Sequence, residues 1–424
     1  MIRRSWKSFL AGVAMAGLSF SGTVFAGNEC STPASGGPDC HQCEQIFTNA
    51  QQSLTDQLAK MSCCNESSCC APVSVCECAD GCAEGCVEGC LSDDCGSGIE
   101  FGGWAQLGYH SGSTGLFNNN PDRVSLHQLW GYVEKVADGS CGMDWGFRAD
   151  MMFGIDSGDT QAFGNNPGRY DFANGWDVEG NTEGYGFAMP QLYAEVASGD
   201  FSVKMGHFYT LLGYEVVTAP DNFFYSHAKT MYNSEAFTHT GALATMNASD
   251  DTTVYAGWTL GWDTGFDQFG NGSSFLGGVS TSVSDDATLT YITTAGDFGA
   301  IGEGYSHSIV LDVAVTDKLN YVFQSDYLDT SDTGATIIAA GTNPANLAAR
   351  ESYGINQYLF YDIDDTYSAG VRVEWWQQNG NDEFATTLGL NIKPADNFVL
   401  RPEVRFDDAT ADDTIFGIDA IMSF

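Results

Sequence analysis

Between Ile99 and the C-terminal Phe424 the chain repeats one pattern. Segments of roughly ten residues alternate apolar and polar side chains, and turn residues separate them. A period of two sends successive side chains to opposite faces of an extended strand, so each segment meets an apolar medium on one side and a polar one on the other. Sixteen such segments begin near Ile99, Val124, Met143, Phe187, Phe201, His239, Thr252, Ser274, Thr288, Tyr305, Leu319, Ser352, Tyr367, Phe384, Phe398 and Thr414. No stretch after the N-terminus approaches the ~18–20 consecutive apolar residues of a membrane helix. The repeat therefore belongs to a soluble β-sandwich or to a barrel that crosses a membrane with strands.

The clearest segments favour the barrel. From Tyr367, the residues Tyr367, Ala369, Val371, Val373 and Trp375 oppose Ser368, Gly370, Arg372 and Glu374. From Phe398, the set Phe398, Leu400, Pro402, Val404 and Phe406 opposes Val399, Arg401, Glu403 and Arg405; Trp145 to Phe153 opposes Asp144, Arg148 and Asp150 in the same way. Each apolar face begins and ends on an aromatic ring eight residues from its fellow. At ~3.3 Å per residue and a tilt of ~40°, that spans about 20 Å, close to the ~25 Å apolar band between the two aromatic girdles of a membrane barrel. A sandwich has no reason to place rings at both ends of its apolar faces.

Connection lengths alternate as well. Turns such as Ser198-Gly199-Asp200 and Lys393 to Asn397 are short, whereas 110–123, 156–186, 210–238, 263–272 and 330–351 are long and rich in Gly, Asn and Asp. Short periplasmic turns and long external loops are the mark of an outer-membrane barrel. The last segment, Phe416, Ile418, Ala420, Met422 and Phe424 against Gly417, Asp419, Ile421 and Ser423, resembles the terminal recognition signal of bacterial outer-membrane barrels. The expected fold is all-β: a transmembrane antiparallel β-barrel of about 16 strands over 99–424, in the bacterial outer membrane. Pro190 and Pro402 fall inside strands and each removes a ladder donor, so local bulges are expected at both. The segments from Val124, His239, Ser274 and Ser352 have ambiguous faces.

Residues 1–26 read as a cleaved secretory signal: Arg3, Arg4 and Lys7, an apolar run from Phe9 to Phe20, then Val24-Phe25-Ala26. Thirteen of the 14 cysteines follow between Cys30 and Cys95, in a segment, 27–98, that also holds an amphipathic helix pattern from Phe47 to Met61. In an exported chain that density reads as disulfides. Cys40-His41-Gln42-Cys43 is a single CxxC pair without a second at a set distance, too little for zinc. Thirteen is odd, which leaves one thiol for Cys141 or for another molecule; crosslinking within the envelope fits.

The full chain has 55 acidic and 16 basic residues, a formal charge of −39. Removal of the signal leaves 13 basic residues and a balance of −42. That excludes nucleic acid as a partner, because its binding depends on neutralising phosphates. An aromatic content of 13% excludes a disordered acidic polymer.

Several runs resemble the OmpL-like β-barrel porin family. They are Pro190-Gln191-Leu192-Tyr193-Ala194-Glu195, Gly206-His207-Phe208-Tyr209-Thr210, Ala219 to His227, Phe237 to Gly241, Tyr353 to Leu359 and Leu400 to Arg405. The resemblance runs through most of 99–424 and implies a channel-forming outer-membrane barrel. It does not include the cysteine-rich segment.

Sixteen strands also enclose a lumen wide enough for water. Five of the scarce basic residues, Arg148, Lys204, Arg372, Arg401 and Arg405, fall on lumen faces, as do the acidic Asp150, Glu195, Glu374 and Glu403. The loop 210–238 is the third long external one; in general porins a loop at that point folds inward. It carries Glu215, Asp221 and Glu235 against Lys229. Two arrangements fit, and they do not exclude each other. The acidic loop faces the arginine wall and sets up a transverse field for small polar solutes, or the arginines pair with the wall acids around them. The acidic balance predicts weak cation selectivity. Small hydrophilic solutes, cations and outer-membrane lipid are the expected partners, with a homo-oligomer or disulfide-linked envelope partner also in view. Asp263–Asp267 matches no EF-hand, and the residues call for no metal or cofactor. Ser226-His227, His207 and His239 suggest a hydrolase, but neither GxSxG nor HExxH occurs, so an enzyme is not expected. The remaining rival is a structural envelope protein anchored by its barrel and crosslinked through its cysteines.

Overall fold

The computed structural model describes residues 98–163, 184–268, 270–331, 350–410 and 413–424. The signal sequence, the helix pattern and all thirteen cysteines of the N-terminal segment lie outside the described residues, and so do the expectations attached to them. Seventeen strands form one sheet. They are β1 (Glu100–His110), β2 (Val124–Lys135), β3 (Met143–Gly154), β4 (Gly186–Ala188), β5 (Leu192–Ser198), β6 (Phe201–Tyr209), β7 (Thr238–Ser249), β8 (Thr252–Thr259) and β9 (Ser273–Ser284). There follow β10 (Ala287–Asp297), β11 (Glu303–Ala314), β12 (Leu319–Thr330), β13 (Arg350–Asp362), β14 (Tyr367–Gln378), β15 (Asn381–Ala395), β16 (Phe398–Asp407) and β17 (Thr414–Ser423).

Each strand pairs antiparallel with its neighbours, and β1 closes on β17 from Trp104 opposite Ser423 to His110 opposite Gly417. Strands β4 and β5 both pair with β3, end to end, so they make one stave interrupted at Met189-Pro190-Gln191. The barrel is thus a closed antiparallel ring of sixteen staves. Proline at the interruption has no N–H to give. The Asp150 N–H instead reaches the Gln191 carbonyl at 2.9 Å, which carries β3 past the break.

The other proline behaves differently from expectation. No bulge forms at Pro402: its register with β17 runs unbroken from Phe398 to Phe406. The register with β15 is also the same at Leu400 and Glu403, on either side of it, the pairing lapsing at Arg401 and Pro402; the shift lies at Ile392/Ala395. A bulge does occur in one of the ambiguous segments. The β1–β2 register shifts between Gln106 and Leu107, and the consecutive His127 and Gln128 are both buried. A bulge breaks strict alternation, which is why that segment shows no clean face.

The wall is apolar outward, and its buried ionisable residues face inward. Phe101, Trp145, Trp258, Phe384, Phe406, Phe416 and Phe424 are exposed, whereas Arg372, Glu374, Arg401, Glu403, Arg405 and Asp419 are buried. Both chain ends of the barrel lie with the short turns, and the long connections gather at the opposite end. Close strand approach is built in at Gly206 of β6, with φ 136°. A Cβ there would lie 2.4 Å from the Leu192 carbonyl oxygen and 2.6 Å from the Tyr193 Cα. Gly206→Val is expected to cost roughly 2–4 kcal/mol through strain and overpacking. The measurement is semi-native electrophoresis, in which the compact, heat-modifiable band should be depleted relative to the wild type.

Candidate functional site

The connection from β6 to β7, residues 210–237, folds into the barrel. Local chemistry shapes it. Pro220 lies in a 3-10 turn, Ala219–Asp221, where a fixed φ suits the first positions. The Thr218 hydroxyl donates to Asp221 Oδ2 at 2.5 Å. Asn222 accepts from the Val216 N–H at 3.0 Å and returns a bond to the Val216 carbonyl at 2.6 Å, closing the bend. A short helix, Lys229–Ser234, completes the loop.

Apolar loop residues then pack on apolar lumen residues. Val217 and Met231 join Trp104, Trp130, Met152 and Ile421. Leu212 and Ala236 join Tyr193, Phe208, Leu243, Leu276, Ile292 and Leu328. Phe224, with Phe223 beside it, joins Val310, Val322, Tyr358 and Phe360. The interior is therefore filled much as a protein core is.

Polar bonds fasten the loop around the wall. On β14, Arg372 donates from Nε to Glu374 at 2.7 Å and from Nη1 to both Glu215 and the Ser226 carbonyl at 2.7 Å. On β16, Arg401 pairs with Asp419 of β17 and donates to the carbonyls of Ala219 and Asn222 at 2.9 and 2.6 Å. Arg405 pairs with Asp407 and Glu374, and reaches the His227 carbonyl at 3.3 Å. The wall acids complement them. Glu403 accepts the N–H groups of Tyr225 and Ser226, and Glu374 accepts that of Lys229. Across the lumen, Gln128 of β2 holds the Val217 carbonyl and the Ala219 N–H, Ser308 of β11 holds the Gly213 N–H, and Asn356 of β13 holds Thr230.

Neither arrangement raised by the sequence holds alone. Arg372 bonds to a wall acid and a loop acid at once, while Arg401 and Arg405 bond to wall acids and spend their remaining N–H groups on loop carbonyls. All three are buried, Arg372 completely at 0% exposure. Of the three loop acids, Glu215 alone is ion-paired with an arginine. Asp221 is turned to Thr218, and burial raises its pKa. Glu235 accepts from Gln324 at 2.5 Å, and that same amide bonds Asp326 at 2.7 Å. Burial, then the neighbouring Asp326, holds the Glu235 carboxyl well above the ordinary range. Lys229 pairs with Glu383 and Asp407 at 2.9 and 3.0 Å.

The remaining lumen residues lie away from the arginine wall. Arg148 spans Glu134 and Asp150, with its guanidinium 4.2 Å from the Tyr132 ring centre. Lys204 is buried 4.5 Å from the Tyr193 ring centre, across the ladder from Glu195. Asp263 accepts the N–H groups of Phe237 and Thr238, a fastening at the end of the loop.

The histidines are dispersed. His207 bonds Thr240, His239 bonds Thr210, and the Ser226 hydroxyl accepts from Arg372. A different triad forms instead: Asp156 to His127 at 2.8 Å, and His127 to the Tyr225 hydroxyl at 2.6 Å. All three are buried, and together they tie the β3–β4 connection, β2 and the inserted loop. Asp419 and Asp407 were legible as inward positions by alternation. His127 and Gln128 were not, because the bulge hides their face.

A family model for beta-barrel porin-2, OmpL-like, matches residues 98–424. No curated protein matches the chain. Among solved structures, a loop-deletion mutant of OmpT, an outer membrane protein of Vibrio cholerae, is similar at 16% identity. It covers 78% of this chain and 100% of that one, with a TM-score of 0.49. A triple mutant of Rhodopseudomonas blastica porin is similar at 14% identity, covering 77% of this chain and 100% of that one, with a TM-score of 0.49.

Two outcomes follow from the fastening. Arg372→Ala leaves Glu215 and Glu374 buried and short of charge, and is expected to cost about 3–5 kcal/mol in urea unfolding of the folded barrel. Glu235 has a folded pKa above its unfolded value, so its stabilisation is present at low pH and is lost as pH rises through the folded value. The unfolding midpoint should therefore fall between about pH 5 and pH 9 by more in the wild type than in Glu235→Gln.

Proposed function

Because the chain belongs to the OmpL-like beta-barrel porin-2 family over residues 98–424, it is a porin-type barrel of the bacterial outer membrane, and we propose that it passes small polar solutes and ions by diffusion, with a weak preference for cations. The observation that carries this reading is the wall itself: sixteen staves with aromatic and aliphatic residues toward lipid, and the buried ionisable residues of β3, β5, β6, β12, β14, β16 and β17 toward the lumen. The inserted loop sets the width, so the channel is narrow and its unit conductance small.

The charge at the short-turn end supports the cation preference. Exposed aspartates recur there, among them Asp200, Asp250, Asp251, Asp285, Asp286, Asp364, Asp365 and Asp396; Lys318 and Lys393 are exposed lysines at the same end. A rim of one sign concentrates the opposite ions. No catalysis is proposed: Ser226 and the Asp156–His127–Tyr225 group are buried in the fastening of the loop.

The same fastening favours a second reading, a sealed barrel that anchors the cysteine-rich segment in the envelope. Planar-bilayer recording of the folded chain under a salt gradient separates the two. Stepwise current with a cation-favouring reversal potential is expected, and removal of 214–234 should raise the step size severalfold. A correctly folded barrel that stays silent in both forms sinks the channel.

A further inference from the structure

The external mouth holds a chamber of roughly 650 Å³ that diffusion alone does not require. Its floor is the inserted loop, at His227, Lys229, Tyr232 and Asn233; Thr114 lines it from the β1–β2 connection and Gln378 from the end of β14. A solute entering from outside meets this chamber immediately above the loop. Its volume falls within the range of small-molecule sites.

The lining is rich in hydrogen-bonding groups and poor in available charge. Lys229 is held between Glu383 and Asp407, so its charge is already countered. His227 is 8% exposed, and its Nδ1 has no hydrogen-bond partner, while Nε2 lies 3.4 Å from the Asn222 amide nitrogen. Burial, then Arg372, pushes the His227 pKa down to about 3, so the ring is neutral at any physiological pH. The buried Thr114 hydroxyl is likewise without a partner. Tyr232, 37% exposed, presents an aromatic ring at the same place.

We propose that this chamber binds an uncharged polyhydroxylated solute, a mono- or disaccharide, before it passes the loop. Hydroxyls of such a solute can both donate and accept, and so suit the side-chain amides of Asn233 and Gln378 on the chamber wall, which offer both. The Tyr232 ring offers a face to the C–H side of a sugar ring. An anion meets Asp122 and Glu383 with Lys229 already engaged. The inference rests on the porin reading and adds the solute class to it.

Calorimetric titration of the full, folded chain in detergent with sucrose and with maltose tests the site without requiring current. Saturable binding with a Kd on the order of millimolar is expected for at least one of them. Tyr232→Ala and Gln378→Ala should each weaken it about tenfold or more, while Ser282→Ala, at the opposite end of the barrel, should not. In bilayers the same sugar, added on the external side, should reduce the current saturably beyond its effect on viscosity. A conducting channel that binds neither sugar overturns the site and leaves the porin reading intact, and tighter binding of free arginine than of either sugar also overturns it. A silent barrel that still binds sugar supports the site and removes the channel.

Discussion

A hydrocarbon interior offers no hydrogen bonds, so a spanning backbone must satisfy every N–H and C=O within itself. The pairing of β1 with β17 meets that demand for the whole sheet by removing both edges. Gly103 and Phe424 extend the seam with reciprocal backbone bonds of 3.0 and 2.9 Å, so the last residue of the chain takes part in closure. Once the ring is closed, alternation has only two destinations, lipid and lumen, and each side chain's environment follows from its parity. The one interrupted stave keeps the rule, because the Gln191 carbonyl takes the Asp150 N–H where Pro190 breaks the ladder.

Closure creates a second demand. A sixteen-stave ring is too wide for its own lumen side chains to fill, yet Trp104, Trp130, Phe208, Leu276, Val322 and Tyr358 face inward. The inserted loop covers them. Its aromatic and aliphatic residues complete three apolar clusters, and its backbone polar groups, which would otherwise be buried without partners, are taken up by wall side chains. Arginine suits this role, because a planar fork of five donors can hold a carboxylate and still reach a carbonyl. Arg372, Arg401 and Arg405 each do so, which places the loop with geometric precision as well as charge. Glu374 is the hub, since it accepts from both Arg372 and Arg405 and from the Lys229 N–H.

The fastening is asymmetric. On the β14–β16 side it is ionic, each arginine being held to at least one carboxylate. On the β12 side it depends on Glu235, Gln324 and Asp326, two carboxyl groups sharing one amide. Burial and the neighbouring Asp326 raise the Glu235 pKa, so the bonding on that side depends on proton availability.

The strand pattern, the orientation of the faces and the identity of the lumen charges were determined by sequence alone, because period two ties each residue's face to its parity and only a membrane barrel wants rings at both ends of an apolar face. Arg148, Arg372, Arg401, Arg405, Glu374 and Glu403 were all legible in this way. The loop's entry was legible only from the porin resemblance, and its partners were not legible at all. That Arg401 would bind Ala219 and Asn222 carbonyls, or that His127 would join Asp156 to Tyr225, depends on contacts between residues far apart in the chain that carry no periodic signal. Bulges add to this: at His127 and Gln128 one extra residue moves both side chains inward, and no local residue type announces it. Parity decides which medium a side chain meets; only closure of the ring and insertion of the loop decide which partner it finds there.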